Sequence, residues 1–355
     1  MKTTRPRLYT SEHAELFLGD LHQQARNDFG VFRRTVRPNM LWGWWNDETA
    51  RELQQFHADL RAGKRPILAI PAPPQHGKTE GASDFTAWTA GNNRDWNIIY
   101  ASYSDELGIR ANRTLQRTLS SEPFGKIFSL QIGTPGWAAN SNLIEFVGHN
   151  GSFRNTTVDG QITGFGLDLG IIDDPFKGRA DANSNSIRDK IWSWFTDDFC
   201  TRLSKNAGLL IIMTRWHIDD LLGRLLQQSG RDVRVLRYPA LAEQDEDHWM
   251  RDWQLTSEGV WLPVWQHIRR SKGEALFPEL KPESFLLEQR KRLSQASWQS
   301  LYQQNPIIAG GGQLPIEQLK VLHLFDRANS TFVPIPNRRK TPRACSCTRC
   351  RTRHS

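Results

Sequence analysis

The feature that most constrains this chain is an apolar run that leads directly into a Gly-Lys-Thr sequence. Residues 67–70 read Ile-Leu-Ala-Ile, a loop follows, and Lys78 and Thr79 begin a segment with a helical pattern. A strand, a tight loop and a helix start bring backbone N–H groups, the helix dipole and a lysine around one polyphosphate. The segment therefore predicts a nucleotide phosphate site, whose loop consists of Pro74, Gln75, His76 and Gly77.

This loop departs from the strict phosphate-loop pattern. The general form G-x-x-x-x-G-K-[ST] places the lysine on the β- and γ-phosphates and the hydroxyl on Mg²⁺. Ala72 occupies the position of the first glycine. An ordinary helix start with a surface lysine is the alternative, and the preceding strand and prolines weigh against it.

A second predicted strand, residues 167–172, is apolar except for Asp168 and ends in the neighbouring carboxylates Asp173 and Asp174. Ligands of open α/β sheets lie beyond the carboxyl ends of the strands. Asp173 is a candidate Mg²⁺ ligand because hard cations prefer oxygen, and Asp174 is a candidate base that orients and deprotonates water. A capped strand end is the alternative, since Asp-Asp-Pro is also ordinary turn chemistry.

A third apolar run, residues 209–213, is followed by Thr214 and Arg215. This position suits a residue that responds to the γ-phosphate, with Thr214 bonding the catalytic water or the Mg²⁺ shell. The alternative is a strand followed by a capped helix, with Asp219 and Asp220 in the first turn. Both interpretations can hold together.

The ordered motifs resemble one family, the large terminase subunit of tailed bacteriophages. They are PPQHGKTE, YASYSDELG, ITGFGLDLGIIDDPFKGRADA, IWSWFTDDFCTRL, IIMTRWHIDDLLGRLL, GEALFPE and LYQQNP, and they span roughly residues 50–312. The resemblance implies an ATP-driven motor that packages double-stranded DNA into a procapsid. It implies a P-loop NTPase of the additional-strand type, with a mostly parallel sheet, helices on both faces, a helical N-terminal segment and a C-terminal lid or linker subdomain.

The resemblance also implies roles for individual residues. Lys78 and Thr79 become the contacts to phosphate and Mg²⁺, Asp173 the Walker B carboxylate, Asp174 the catalytic carboxylate and Thr214 the coupling residue. Many family members carry an arginine within the loop, where this chain has the uncharged Gln75. By position, Arg154 is the candidate arginine finger for a neighbouring subunit, and a surface arginine is the alternative.

The family's partners follow from the same resemblance. They are duplex DNA bound without sequence preference, the portal protein of the procapsid, the small terminase subunit and further copies of the chain in a ring. ATP and Mg²⁺ are the expected cofactors. No stretch approaches the ~18 apolar residues of a membrane span, and the start lacks an apolar signal segment. We therefore expect no membrane association, no secretion and a location in the host cytoplasm.

The C-terminal part departs from the family. A nuclease there needs several carboxylates for two metals, but only 43 residues follow Gly312 and no Asp or Glu follows Arg327. The family's nuclease activity is therefore expected to be absent. Residues 328–355 supply seven of the net eight positive charges, so overall charge says little about DNA binding. Cys345, Cys347, Cys350 and His354 also fall in this tail, in a spacing unusual for zinc.

Apolar periodicity predicts strands and helices in alternation, which favours a parallel sheet. Strands are expected near 66–71, 97–102, 143–147, 169–173, 208–213 and 233–238, and helices near 79–90, 104–119, 183–204 and 219–228. A hairpin is expected over 143–158 with a turn at residues 149–151, and a charged connector after residue 238. A later helix begins at an N-cap Ser284 or is set by Pro282.

Together with the resemblance, this pattern implies four segments. They are a helical segment over 1–63, an ATPase core over 64–238, a lid or linker over 239–312, and the truncated start of a nuclease region with a basic, Cys-containing, disordered tail over 313–355. Two functions from other classes stay open. A helicase-like motor predicts unwinding of forked DNA, although no second motor domain is evident. A non-catalytic prophage remnant fits the missing nuclease, whereas the intact Lys78, Thr79, Asp173 and Asp174 oppose it.

Overall fold

A seven-stranded sheet forms the centre of the first of two compact units, Met1–Ile308 and Ala309–Ser355. The computed structural model describes residues 21–160, 162, 164, 166–228, 233–255, 261–307, 324–326 and 331–333. The strands are β1 Ile67–Pro71, β2 Asn97–Ser102, β3 Leu143–Glu145, β4 Ser152–Thr157, β5 Leu167–Asp173, β6 Leu203–Met213 and β7 Val233–Val235. Their spatial order is β3-β4-β2-β5-β6-β1-β7.

All neighbouring strands of this sheet are parallel except β3 and β4. Strand β6 lies between β1, which leads into the Gly-Lys-Thr loop, and β5, which ends in the paired carboxylates. This inserted strand is the additional strand that the resemblance implied. The predicted fold class is confirmed.

Helices connect the strands. They are α1 Phe29–Val36, which follows helical residues 21–27, then α2 Trp44–Arg61, α3 Lys78–Asn92, α4 Asp105–Leu119, α5 Glu122–Ile127, α6 Arg179–Asn183, α7 Asn185–Ser193, α8 Leu221–Gln227, α9 Glu283–Arg292 and α10 Gln295–Leu301. The helix predicted over 183–204 is divided, because a π-helical turn, Trp194–Phe199, and a 3-10 turn, Cys200–Arg202, follow α7. None of the described helices is long and apolar enough to cross a bilayer.

Helices cover both faces of the sheet, and the alternation of strand residues accounts for this. On β1, Leu68 and Ile70 enter one hydrophobic cluster, which includes Phe85 of α3. Ala69 points the other way, into a second cluster that includes Trp194. Successive side chains of a strand point to opposite faces, so apolar residues at every position predict a sheet buried on both sides.

The antiparallel pairing of β3 and β4 confirms the predicted hairpin, but the turn differs from the prediction. Gly148 has the left-handed φ of 76°, whereas the φ of Gly151 is not positive. A Cβ on Gly151 would lie 2.2 Å from the carbonyl oxygen of Arg94. Gly151 therefore serves close backbone approach, and Gly148 makes the turn.

The segment after residue 238, predicted as a charged connector, contains a second sheet. Strands β8 Glu246–Leu255 and β9 Trp261–Arg270 pair antiparallel in register from Glu246 with Arg270 to Leu255 with Trp261. These strands were missed because charged and aromatic residues alternate in them, and a ribbon whose covered face is only partly buried needs few aliphatic residues.

At the later helix, Pro282 is the N-cap residue of α9 and no side chain caps the helix, so the Ser284 prediction was wrong and the Pro282 alternative holds. The second unit contributes one described pair of antiparallel strands, β10 Leu324–Asp326 and β11 Thr331–Val333. The rest of the predicted tail, including its cysteines, lies outside the described residues. The four predicted segment boundaries stay predictions.

Candidate active site

Three strand ends converge at one edge of the sheet. Strand β6 pairs with both of its neighbours, so that Ile212 lies beside Ile70 of β1 and beside Asp173 of β5. Carboxyl ends of parallel strands share one edge, which is where ligands of such sheets bind. The phosphate loop, the two carboxylates and Thr214 are therefore brought together, as the sequence predicted.

The phosphate loop contains two residues in the left-handed region, Gln75 with φ 60° and Gly77 with φ 74°. Gly77 is the N-cap residue of α3, so helix dipole and unpaired amides face the loop. His76 is 1% exposed, and its Nδ1 lies 3.0 Å from the Pro74 carbonyl. A carbonyl only accepts, so Nδ1 carries the proton. Burial lowers the pKa of His76 to about 4 and keeps the ring neutral.

Lys78 spans the gap between the loop and β6. Its ammonium donates to the Ala72 carbonyl at 2.7 Å and to the Thr214 hydroxyl at 2.6 Å. Burial lowers the pKa of Lys78, and the nearby Asp174 and Asp173 oppose that shift. An ammonium has three donors. Two are used here, which leaves one for a phosphate oxygen.

Asp173 is 2% exposed at the end of β5. One of its oxygens, Oδ2, accepts from the Thr79 hydroxyl at 2.7 Å and from the Tyr100 hydroxyl. The other, Oδ1, is buried and has no hydrogen-bond partner among the described residues. Burial, and then the charge of Asp174, raise the pKa of Asp173 to about 7.

The unpaired Oδ1 and the Thr79 hydroxyl suit a hard divalent cation. An oxygen that lacks a partner in the interior is costly unless a ligand completes it, and oxygen donors are those that Mg²⁺ prefers. The residues present therefore fit Mg²⁺. No cluster of three or more His, Cys, Asp or Glu side chains suited to a metal occurs in the part of the chain that the structure describes.

Asp174 follows β5 in the left-handed region, with φ 42°. Its Oδ1 accepts from the Thr214 backbone N–H at 2.7 Å, and its own N–H donates to the Ile212 carbonyl at 2.9 Å. Aspartate tolerates this conformation better than most residues. The turn therefore places this carboxylate against the end of β6, where it contacts Thr214.

A cleft of about 440 Å³ joins these groups. Its lining includes the predicted Pro74, Gln75, Gly77, Lys78, Thr79, Asp174 and Thr214, and also Arg37, Glu80, Ser83, Leu107, Arg110, Ala111, Thr114 and Arg117. Asp173 and His76 lie behind this lining as buried residues. Positive side chains outnumber carboxylates along the cleft, which favours an anionic ligand.

One wall of the cleft was missed from the sequence. It is a face of α4 that carries Arg110, Thr114 and Arg117, spaced as neighbours on a helix are. Arg110 is exposed and has no hydrogen-bond or ion-pair partner among the described residues. The helical spacing was a usable signal. Arg154, the predicted arginine finger, lies on β4 beside Ile99 of β2 and is not among the residues that line the cleft.

A second link ties the end of β6 to the C-terminal part of the first unit. The Arg215 backbone N–H donates to the Gln304 side-chain oxygen at 2.9 Å, and its guanidinium donates to Asp220 at 2.8 Å. Asp220 also caps α8 through the Gly223 N–H. Gln304 is 1% exposed and has φ 54°. The residue next to Thr214 is therefore held by two different elements.

Comparison with known proteins identifies a family. The family model described as terminase large subunit, T4likevirus-type, N-terminal, matches residues 69–316. Among solved structures, the HK97 bacteriophage large terminase is 15% identical with a TM-score of 0.45, over 75% of this chain and 51% of that one. The Thermus phage P74-26 large terminase ATPase domain is 11% identical with a TM-score of 0.43, over 71% and 93%.

A large terminase from a thermophilic bacteriophage, solved in complex with ADP, is 14% identical with a TM-score of 0.33, over 52% of this chain and 45% of that one. This chain thus spans about half the length of the HK97 protein. Among curated protein sequences, none gives a significant match.

Proposed function

The chain belongs to the T4-like-virus type of terminase large subunits, and from this premise we propose that it hydrolyses ATP to drive packaging of double-stranded viral DNA. The observation that carries the proposal is the convergence of Lys78, Thr79, Asp173 and Thr214 through hydrogen bonds at one sheet edge. Phosphoryl transfer needs little covalent chemistry from a protein. Positioned charges and donors are what it needs, and this edge supplies them.

The residues divide the work by their positions. Lys78 and the amides at the start of α3 neutralise the phosphate oxygens. Asp174 lines the cleft with one carboxylate oxygen fixed by Thr214. The carboxylate orients the attacking water and accepts its proton as the water oxygen bonds to the terminal phosphorus. The P–O bond to ADP breaks, and its electron pair stays on the ADP oxygen.

Thr79 and Asp173 are the residues that would hold Mg²⁺. When bound, this ion supplies positive charge to the phosphate oxygens. The Thr79 and Tyr100 hydroxyls share the same Asp173 oxygen. Both hydroxyls stabilise the ionised carboxylate, so they keep Asp173 available as a ligand despite its burial.

Thr214 is the coupling residue in this proposal. It contacts Lys78 through its hydroxyl and Asp174 through its N–H, and Arg215 next to it contacts Gln304. Loss of the terminal phosphate can therefore shift Thr214 and, through the adjacent Arg215, the contact with Gln304 in the segment over 239–312. We propose that this segment acts as the lid or linker.

The proposed partners are duplex DNA, the portal of the procapsid, the small terminase subunit and further copies of this chain in a ring. The proposed location is the host cytoplasm. Contacts to DNA would be electrostatic and independent of sequence, so stimulation of turnover by DNA should fall steeply with salt. Arg154 stays a proposed arginine finger for the neighbouring subunit in that ring.

The test is steady-state ATP hydrolysis by the full chain, with and without duplex DNA, compared with Lys78→Ala. We expect the variant to lose about three orders of magnitude or more in turnover. Lys205→Ala is the matched control, because Lys205 is exposed near the opposite end of β6. Near wild-type turnover in Lys78→Ala would remove the assignment of the phosphate loop.

A further inference from the structure

Lys281 is a buried lysine that reaches the phosphate loop from outside the sheet. It precedes α9 in the chain and is 8% exposed. Its ammonium donates to the side-chain oxygen of Gln75 at 2.8 Å and lies 5.1 Å from the centre of the Phe285 ring. A residue of the C-terminal segment is thereby attached to the loop that faces the nucleotide.

This ammonium has no carboxylate partner among the described residues. Burial alone lowers the pKa of Lys281, with no opposing acidic group. The same charge, together with Lys78, helps lower the pKa of His76, so both lysines act on the loop from nearby. An isolated buried cation is costly and is usually paired. The ammonium of Lys281 is therefore suited to an anionic ligand.

The hydrogen bond fixes which end of the Gln75 amide contacts Lys281. An ammonium can only donate, so it must contact the oxygen of the amide. Gln75 lines the cleft together with Lys78, and its NH₂ group is left to donate. Two N–H donors at that position suit phosphate oxygens, whereas the amide oxygen would repel them.

We propose that Lys281 is a positioning residue for the triphosphate. It holds Gln75 with its N–H donors toward the phosphates and adds a second positive charge behind the loop. In doing so it links the segment before α9 to nucleotide binding. This inference rests on the proposed ATPase function. Lys281, which is distant in sequence, would supply the positive charge that the loop lacks at Gln75.

The experiment measures the affinity of the full chain for Mg²⁺·ATP by calorimetric titration, together with thermal unfolding of the free chain. Lys281→Met should weaken binding about tenfold, the size expected for loss of one charge-assisted hydrogen bond. Lys281→Arg should restore binding to within about threefold, because it keeps a cationic donor. Lys291→Met is the matched control, since Lys291 is exposed at the far end of α9.

Two further readouts separate positioning from a structural role. Lys281→Met should not lower the midpoint of thermal unfolding, because it removes an isolated buried charge rather than a paired one. Gln75→Glu should weaken ATP binding more than Gln75→Ala, because it replaces the NH₂ donors with a carboxylate oxygen.

The inference is overturned if Lys281→Met binds Mg²⁺·ATP as tightly as Lys291→Met does, or if Lys281→Met lowers the unfolding midpoint while leaving affinity unchanged. If the proposed ATPase function itself is wrong, the result is different, because Lys78→Ala then retains the turnover of the wild type. If Lys78→Ala is inactive and Lys281→Met is unaffected, only the positioning role is lost.

Discussion

The ammonium of Lys78 and the hydroxyl of Thr214 are joined by a hydrogen bond of 2.6 Å. Lys78 begins α3 and Thr214 follows β6, so this bond connects the proposed phosphate-binding element to the strand end whose backbone N–H also holds Asp174. A phosphate oxygen that accepts from the remaining donor of Lys78 would shift this ammonium relative to Thr214. In the proposed function, the bond between Lys78 and Thr214 therefore responds to the state of the nucleotide.

Thr214→Val tests this relationship, because it keeps the shape of the side chain and removes the hydroxyl. We expect turnover to fall by roughly tenfold, the effect of losing one hydrogen bond to a charged group, and stimulation by duplex DNA to disappear. Thr214→Ser keeps the hydroxyl and should retain both. Stimulation by DNA that persists in Thr214→Val would contradict the coupling role, whatever the basal rate.

Asp174 allows stability and catalysis to be separated. Its φ of 42° disfavours most residues, so Asp174→Ala should lose about 1 kcal/mol more of unfolding free energy than Asp174→Asn. Both variants remove the proposed catalytic carboxylate and should lose ATP turnover alike. Chemical denaturation and steady-state kinetics on the same preparations test this. An active Asp174→Asn variant would show that another group deprotonates the water.

The raised pKa of Asp173 predicts a dependence of stability on pH. The native carboxyl titrates at about 7 rather than at its ordinary 3.8, so between these values the folded chain binds more protons than the unfolded chain. The contribution of Asp173 to the unfolding free energy is therefore present below pH 3.8 and decreases as the pH rises toward 7.

Asp173→Asn should remove this component, because an amide does not titrate. Denaturation of both free chains at about pH 5 and about pH 8 measures the difference, and wild type should lose more stability over that interval than the variant. Equal losses in the two chains would show that the carboxyl is not protonated in the folded state.

Arg110 is expected to contribute to nucleotide binding although no motif includes it. It lines the cleft from α4 and has no partner among the described residues. Arg110→Ala should raise the KM for ATP by about tenfold, as expected for loss of one charge-assisted contact to phosphate. Arg113→Ala is the control on the same helix, since Arg113 is exposed and does not line the cleft. Identical kinetics in the two variants would exclude the contact.

Local sequence was sufficient to predict the central strands of the sheet and the polar residues at their carboxyl ends. Runs such as 67–70 and 209–213, which are apolar at every position, predict strands buried on both faces, and polar residues that follow parallel strands meet at one edge of the sheet. Lys78, Thr79, Asp173, Asp174 and Thr214 were found by that reasoning, and the structure brings all of them together. The ribbon β8–β9 was missed, because its mixture of charged and aromatic residues resembles a connector.

What the sequence determined by itself is therefore the set of groups adjacent to strand ends, because strand periodicity and loop chemistry are local properties. Tertiary structure decided the rest. The contact of Tyr100 with Asp173, the wall carrying Arg110 and the bond from Lys281 to Gln75 join residues far apart in the chain. Such contacts depend on how helices pack over the sheet, which is set by the summed burial of many side chains and leaves no short motif.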